Sequence, residues 1–240
     1  MFALLKMLFV YTALGPITGI IGIPWTLFRN DISWLYKAGM WIARAGVRAG
    51  GIRVEISGYE NIPSGQACVF MSNHVSNLDP PVLLPLIPGR TCVMLKAELM
   101  RIPILGRAMR MAQFVPVERG GEPAKAKASI DAAARALHDG LHIVIFAEGT
   151  RSPDGRLRPF KKGPFFLAKE TGAPIIPVAL SGTQTMMRVG SMKVHPGTAR
   201  IQLLPEIDSS QYATREELME AVRNAINAAL PAEMQNPVLG

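Results

Sequence analysis

The stretch PAKAKASIDAAARALHDGLHIVIFAEGTRS, residues 123–152, decides the fold class. Its first half is alanine-rich, places Ile130, Ala133, Ala134 and Leu137 at helical spacing, and is followed by Gly140 as a stop. Its second half, Ile143-Val144-Ile145-Phe146, is apolar on both faces, as a central strand covered on both sides is. A helix feeding a two-sided strand is a unit of an α/β layer fold. Working outward, β-rich runs lie at 53–57, 67–71, 91–95, 113–117, 142–146, 175–180 and 200–204. Further helical signals span 164–171, ended by Gly172, and 214–230. The latter opens on the capping box Thr214-x-x-Glu217 and sets Leu218, Val222 and Ile226 on one face. The pattern predicts a single α/β layered domain over 51–240, with a mixed central sheet flanked by helices. Pro177 lies inside one apolar run and predicts a strand end or a bulge there.

Residues 1–50 read differently. Met7 to Phe28 is 22 residues without a charge. As one helix it would be about 33 Å long, enough to span a hydrocarbon core. Gly15-Pro16, Gly19, Gly22 and Pro24 interrupt it, so a kinked or re-entrant helix is as consistent as a clean span. A cleaved signal peptide is disfavoured by the length of the run and the lack of a small-x-small exit. In Ile32 to Arg48, Lys37, Arg44 and Arg48 share a stripe opposite Ile32, Leu35 and Ile42, with Trp34 and Trp41 at the border. Such helices commonly pack on a protein core. After an uncharged 22-mer, the favoured reading is a helix in the headgroup region. Residues 1–50 are therefore expected to be a membrane-anchoring and interfacial segment.

Charge agrees. The 240 residues carry 26 Lys+Arg against 18 Asp+Glu, net +8, with 49% hydrophobic and 18% charged residues. That excludes a disordered chain. Two cysteines, Cys68 and Cys92, exclude a disulfide-dense scaffold. The basic excess lies in the first 204 residues and is dense at 90–119 and 148–169. It suggests an anionic partner such as a membrane surface or phosphorylated substrate. Nucleic acid is disfavoured, since aromatics are only 7% and no recognition motif is present.

Four segments carry chemistry. In Phe70-Met71-Ser72-Asn73-His74-Val75-Ser76-Asn77-Leu78-Asp79-Pro80-Pro81, a strand ends near Met71 and Asp79-Pro80 resembles an N-cap with proline at N1. His74 thus lies in a strand-to-helix loop. If that loop folds back, the Asp79 carboxylate can accept the imidazole N–H, fix the tautomer and raise its basicity. On spacing alone, a solvated histidine and a capping aspartate are the commoner outcome. No Gly-x-Ser-x-Gly is present, so direct attack by an activated substrate hydroxyl on an acyl donor is the simpler scheme. No His-Glu-x-x-His or Cys-x-x-Cys supports a metal. After a buried-looking strand, Glu148-Gly149-Thr150-Arg151-Ser152 offers a glycine for close approach, two hydroxyls and a planar guanidinium. It is not a Walker loop, and a surface turn is the plain alternative. Arg119 ends a strand, and Lys161-Lys162 precedes a helix start, where anions are favoured.

Together these residues resemble the glycerolipid acyltransferase family, in particular its bacterial 1-acyl-sn-glycerol-3-phosphate acyltransferases. The likeness rests on Asn73-His74 with Asp79, then Arg119, then Phe146 to Ser152, then Ile176-Pro177-Val178-Ala179, in the family's order from Gly58 to Leu180. Lys96-Ala97-Glu98-Leu99 and Ile102-Pro103-Ile104-Leu105-Gly106 match its connecting segment. Ala147 stands where proline is usual, and the motif before Arg119 departs at two positions. The resemblance implies that His74 is the general base and Asp79 orients it. It implies that Arg119, Glu148, Gly149, Thr150 and Arg151 hold the glycerol phosphate, and that Pro177 helps shape the acyl-donor region. Backbone N–H groups near the His74 loop are expected to stabilise the oxyanion. The implied reaction moves an acyl group from acyl-CoA or acyl carrier protein to 1-acyl-sn-glycerol 3-phosphate, giving phosphatidic acid, with no tightly bound cofactor or metal. Membrane lipids, lysophosphatidic acid and the thioester carrier are the implied partners, and the cytoplasmic side of the bacterial inner membrane is the implied location. Another lysolipid, such as a lyso-ornithine lipid, glycerol 3-phosphate, or a non-catalytic lipid-binding role are the rival readings.

Overall fold

The computed structural model describes residues 2–118 and 123–236. Two helices come first, α1 (Phe2–Arg29) and α2 (Ser33–Ala49). The alternating body follows: β1 (Ile52–Ser57), β2 (Val69–Ser72), α3 (Asp79–Leu83), β3 (Thr91–Lys96), α4 (Leu105–Met111), β4 (Val115–Val117), α5 (Pro123–His138), β5 (His142–Phe146), α6 (Gly163–Thr171), β6 (Ile175–Ser181), α7 (Thr183–Met186), β7 (Gly197–Leu203) and α8 (Arg215–Ala229). The expected fold class holds: seven strands form one mixed sheet in the order β1-β7-β6-β2-β5-β3-β4. All pairs are parallel except β6 with β7. The two-sided apolar strands sit at its centre: every residue of β2 is buried, and Ile143, Val144, Ile175 and Ile176 are fully so.

Two features of the topology place the site. The neighbouring strands β2 and β5 run parallel, and the chain leaves them in opposite directions, from β2 toward β3 and from β5 toward β6. Such a divergence opens a crevice at the carboxyl ends of the strands, where ligands bind in open α/β sheets. Pro177 sits within β6, opposite Met71 of β2. The register of β6 with its antiparallel side shifts by one residue between Val178↔Leu203 and Ile175↔Ile207. A bulge in the partner chain thus faces the residue that has no N–H to give, as anticipated for this proline.

Three local expectations are corrected. Gln113 and Phe114 are not strand: Gln113 has φ 62 and its N–H closes α4 on Arg110 C=O, so β4 starts at Val115. Leu78, not Asp79, precedes the first residue of α3, and Asp79 is already helical. The apolar stripe of α2 meets protein rather than lipid: Leu35, Tyr36, Ile42 and Val47 are buried. Tyr36 Oη lies 2.7 Å from Thr91 Oγ1 and accepts the Thr91 N–H at 2.9 Å, while Arg44 donates to the Pro85 carbonyl.

The 22-residue uncharged run is part of a single helix, with Pro16 and Pro24 inside it. Its glycines mark close approaches. Ile104 Cγ2 fills the place of a Gly19 Cβ, and Trp34 and Leu35 crowd Gly22. Reciprocally, the Tyr11 ring covers Gly46 of α2. α1 is long and apolar enough to cross a membrane. It buries Met7, Gly19, Gly22, Ile23 and Thr26, while Leu5, Phe9, Ile17, Ile20, Trp25 and Phe28 stay exposed.

Candidate active site

β2 delivers Ser72 to the crevice, and the chain then turns. Asn73 fixes the turn to β6: its side-chain amide donates to Leu180 C=O at 2.9 Å, and its Oδ1 accepts the Leu180 N–H at 2.8 Å. Ser76 Oγ donates to Met187 C=O at 2.8 Å. Between these two anchors the loop folds back on α3. His74 Nδ1 and Asp79 Oδ2 are 2.7 Å apart. The same carboxylate oxygen accepts the N–H groups of Val75 at 2.7 Å and Ser76 at 2.8 Å. Its other oxygen accepts Thr183 Oγ1–H at 2.6 Å. Asp79 is fully buried, and an ionised carboxylate is well matched to four converging donors. The carboxylate therefore turns back to the loop instead of capping α3 forward.

The imidazole is held on its flat side as well. It stacks on Phe146 with ring centroids 4.2 Å apart. Its side chain is 13% exposed, so the ring reaches the surface while Nδ1 is engaged. A bond from Nδ1–H to Asp79 sets the tautomer that leaves Nε2 as the basic nitrogen.

The strand β5 ends beside it, and the turn Glu148 to Ser152 wraps the His74 loop. Ser152 N–H donates to His74 C=O at 2.8 Å. Gly149 adopts φ 69, and a Cβ there would press on the Lys161 side chain. Thr150 and Arg151 are half-buried in the turn, close in the chain to the histidine contact. Glu148 is turned into the fold. It is 2% exposed, and both oxygens are occupied: Oε1 by the His74 N–H at 2.7 Å, Oε2 by the Arg158 N–H at 3.2 Å. Burial pushes its carboxyl up to about 8, against the lowering effect of those two N–H bonds.

Four N–H groups in and beside the His74 loop are already engaged. The N–H groups of His74, Val75 and Ser76 are all committed to the carboxylates of Glu148 and Asp79, and Leu78 N–H is committed to Ser76 Oγ. The first three serve the chain's own carboxyl groups, and the fourth serves a hydroxyl. Pro177 is buried in the sheet, on the strand next to the one that leads into the histidine loop. Arg119 lies outside the described residues. Thr183 is the site residue that the sequence reading misses, while Asn73 and Ser76 stand in the quoted motif without the anchoring role they have here. Thr183 is 104 residues from Asp79, and nothing local in the sequence marks it.

Residues 53–181 match the family model described as Acyltransferase. The chain is 32% identical over 216 residues to the 1-acyl-sn-glycerol-3-phosphate acyltransferase of Limnanthes alba, covering 89% of this chain and 75% of that protein. It is 31% identical over 157 residues to the human 1-acyl-sn-glycerol-3-phosphate acyltransferase alpha, covering 65% of this chain and 56% of that protein. Its fold is similar to the crystal structure of the 1-acyl-sn-glycerophosphate (LPA) acyltransferase PlsC from Thermotoga maritima, with a TM-score of 0.78 at 25% identity over 94% of this chain and 93% of that one.

Proposed function

This chain belongs to the acyltransferase family, and from that premise we propose that it esterifies the free hydroxyl of 1-acyl-sn-glycerol 3-phosphate with an acyl group from acyl-CoA or acyl carrier protein. The observation that carries the reading is the 2.7 Å contact between His74 and Asp79 at the carboxyl end of β2, beside the Glu148–Ser152 turn. The names of the relatives support the acceptor. His74 Nε2 takes the proton of the acceptor hydroxyl as its oxygen attacks the thioester carbonyl carbon. The tetrahedral intermediate collapses, the C–S bond breaks, and the imidazolium returns the proton to the departing thiolate. The products are phosphatidic acid and a free thiol. Asp79 stabilises the transient imidazolium.

Arg119, Gly149, Thr150 and Arg151 hold the phosphate of the acceptor. Glu148 serves that site from behind, by fixing the His74 backbone. Both acceptor and product are bilayer lipids, so α1 keeps the site at lipid depth. The thioester donors are water-soluble and cytosolic, which puts the crevice on the cytoplasmic face of the bacterial inner membrane.

The direct test is an acyl-transfer assay with both thioesters against lysophosphatidic acid, lyso-ornithine lipid and glycerol 3-phosphate. Lysophosphatidic acid is expected to be the preferred acceptor; preference for either other acceptor would overturn the assignment. Arg151→Ala is expected to raise the acceptor KM roughly tenfold or more, the scale of one lost charge-assisted contact. A KM rise confined to the thioester would remove Arg151 from the phosphate. Glu148→Gln separates support from binding. It places an NH2 group against one of two N–H donors, so kcat should fall about 100-fold with the acceptor KM nearly unchanged. The proton of Glu148 is held more tightly folded than unfolded. Its contribution to stability is therefore complete below pH 4.5 and is lost as pH rises toward about 8. Melting curves across that range should lose this slope in Glu148→Gln.

A further inference from the structure

The segment between β3 and α4 is built to hold apolar side chains outward. Ile102 N–H donates to Leu99 C=O at 3.3 Å, and Gly106 N–H to Ile102 C=O at 2.8 Å. Arg110 Nη1 reaches back to Met100 C=O at 2.8 Å, and the Met100 carbonyl occupies the place of a Gly106 Cβ. Ile104 has φ 64 and ψ −61, and Leu105 N–H donates to Pro103 C=O at 2.6 Å. That is a γ-turn of the strained form, centred on a β-branched residue that seldom adopts positive φ. The surrounding bonds hold it there. Met100 points inward and is buried.

The outcome runs against ordinary burial. Leu99, Ile102 and Leu105 are 40%, 43% and 44% exposed, within seven residues of one another. Pro103 is exposed between them. Arg101, between Leu99 and Ile102, and Arg107, after Leu105, are exposed, as is Glu98, whose carboxylate pairs with Lys96 at 3.1 Å. The segment also has a fixed neighbour: Ile104 packs into the Gly19 notch of α1, next to the helix's exposed Ile17, Ile20 and Ile21. Apolar side chains with arginines among and beside them, continuous with a helix suited to hydrocarbon, match a leaflet boundary. They do not match water.

We propose that Ala97–Leu105 is a second membrane-contacting element, a lip whose Leu99, Ile102 and Leu105 enter the same leaflet as the outer face of α1 while Arg101 and Arg107 meet anionic headgroups. The lip follows β3, in the sheet whose carboxyl edge carries His74, so it holds the rim of the crevice against the bilayer. The inference rests on the membrane placement of α1 given above.

The test uses the full chain. Ile102→Cys, Ile20→Cys and Gln202→Cys variants are labelled singly with an environment-sensitive fluorophore; the native Cys68 and Cys92 are fully buried. Each is mixed with phosphatidylcholine/phosphatidylglycerol vesicles carrying a nitroxide high on the acyl chain. The probe at 102 should shift to the blue and be quenched, as should the probe at 20, whereas the probe at 202 should do neither. A quenched probe at 20 with an unshifted, unquenched probe at 102 would overturn the lip alone. Silence at both positions would overturn α1 as anchor and the lip with it. Leu99→Cys repeats the measurement at a second lip position. In parallel, Ile102→Glu/Leu105→Glu should weaken vesicle partitioning about tenfold, the scale of about 1.4 kcal/mol of lost apolar transfer. Unaltered partitioning would count against the lip.

Discussion

His74→Ala is expected to cripple acyl transfer, lowering kcat/KM by roughly 100- to 10,000-fold, the reach of a positioned general base. The chain should stay folded. The imidazole is one of several partners of Asp79, and the Val75 and Ser76 N–H groups and the Thr183 hydroxyl remain to satisfy the carboxylate. Single-turnover transfer with lysophosphatidic acid, read beside a thermal melt, separates loss of chemistry from loss of fold. A variant that is folded and turns over near the normal rate would end the assignment of His74 as base.

Asp79→Asn should be nearly as damaging to catalysis, on the order of 1,000-fold, for a different reason. An asparagine can turn its oxygen toward His74, Val75 and Ser76 and its NH2 toward Thr183 Oγ1, which can accept. The loop is then kept, but the negative charge that stabilises the imidazolium is gone. Asp79→Ala offers no such substitute. It leaves buried N–H groups without partners, at about 1–3 kcal/mol each, and should lower the melting temperature as well as activity. Paired melts and rate measurements on the two variants check both halves. An Asp79→Asn enzyme with most of its activity would show that the carboxylate only builds the loop.

The strands were legible where the chain is apolar on both faces. His142–Phe146 was read to the residue, because Gly140 stops the helix before it and Glu148-Gly149 opens the turn after it. Thr214 and Glu217 were legible because the capping box is local, and the structure forms both of its bonds. The strand order was not legible, since each crossover between β2, β3, β5 and β6 skips a position. In the site, the His74 and Asp79 positions are visible in the sequence, and so is the need for the loop between them to fold back if they are to meet. What folds it back was invisible. Asn73 binds Leu180 across 107 residues, and Ser76 binds Met187 across 111. Glu148 was found as a motif residue, but its direction depends on where the His74 N–H points, which one-dimensional spacing does not encode. Likewise Leu35 and Ile42 showed an apolar stripe without showing whether protein or lipid would meet it.

The glycine notches that seat α1 on α2 and on Ile104, with the Tyr36–Thr91 and Arg44–Pro85 bonds, tie the hairpin to the body of the fold at several points. Under the membrane placement proposed above, a body tied to its anchor in this way would hold one tilt with respect to the leaflet. A lipid acceptor of the proposed kind would then arrive by lateral diffusion in two dimensions, tail still solvated by neighbouring chains, and the cost of lifting a fatty tail into water would not be incurred.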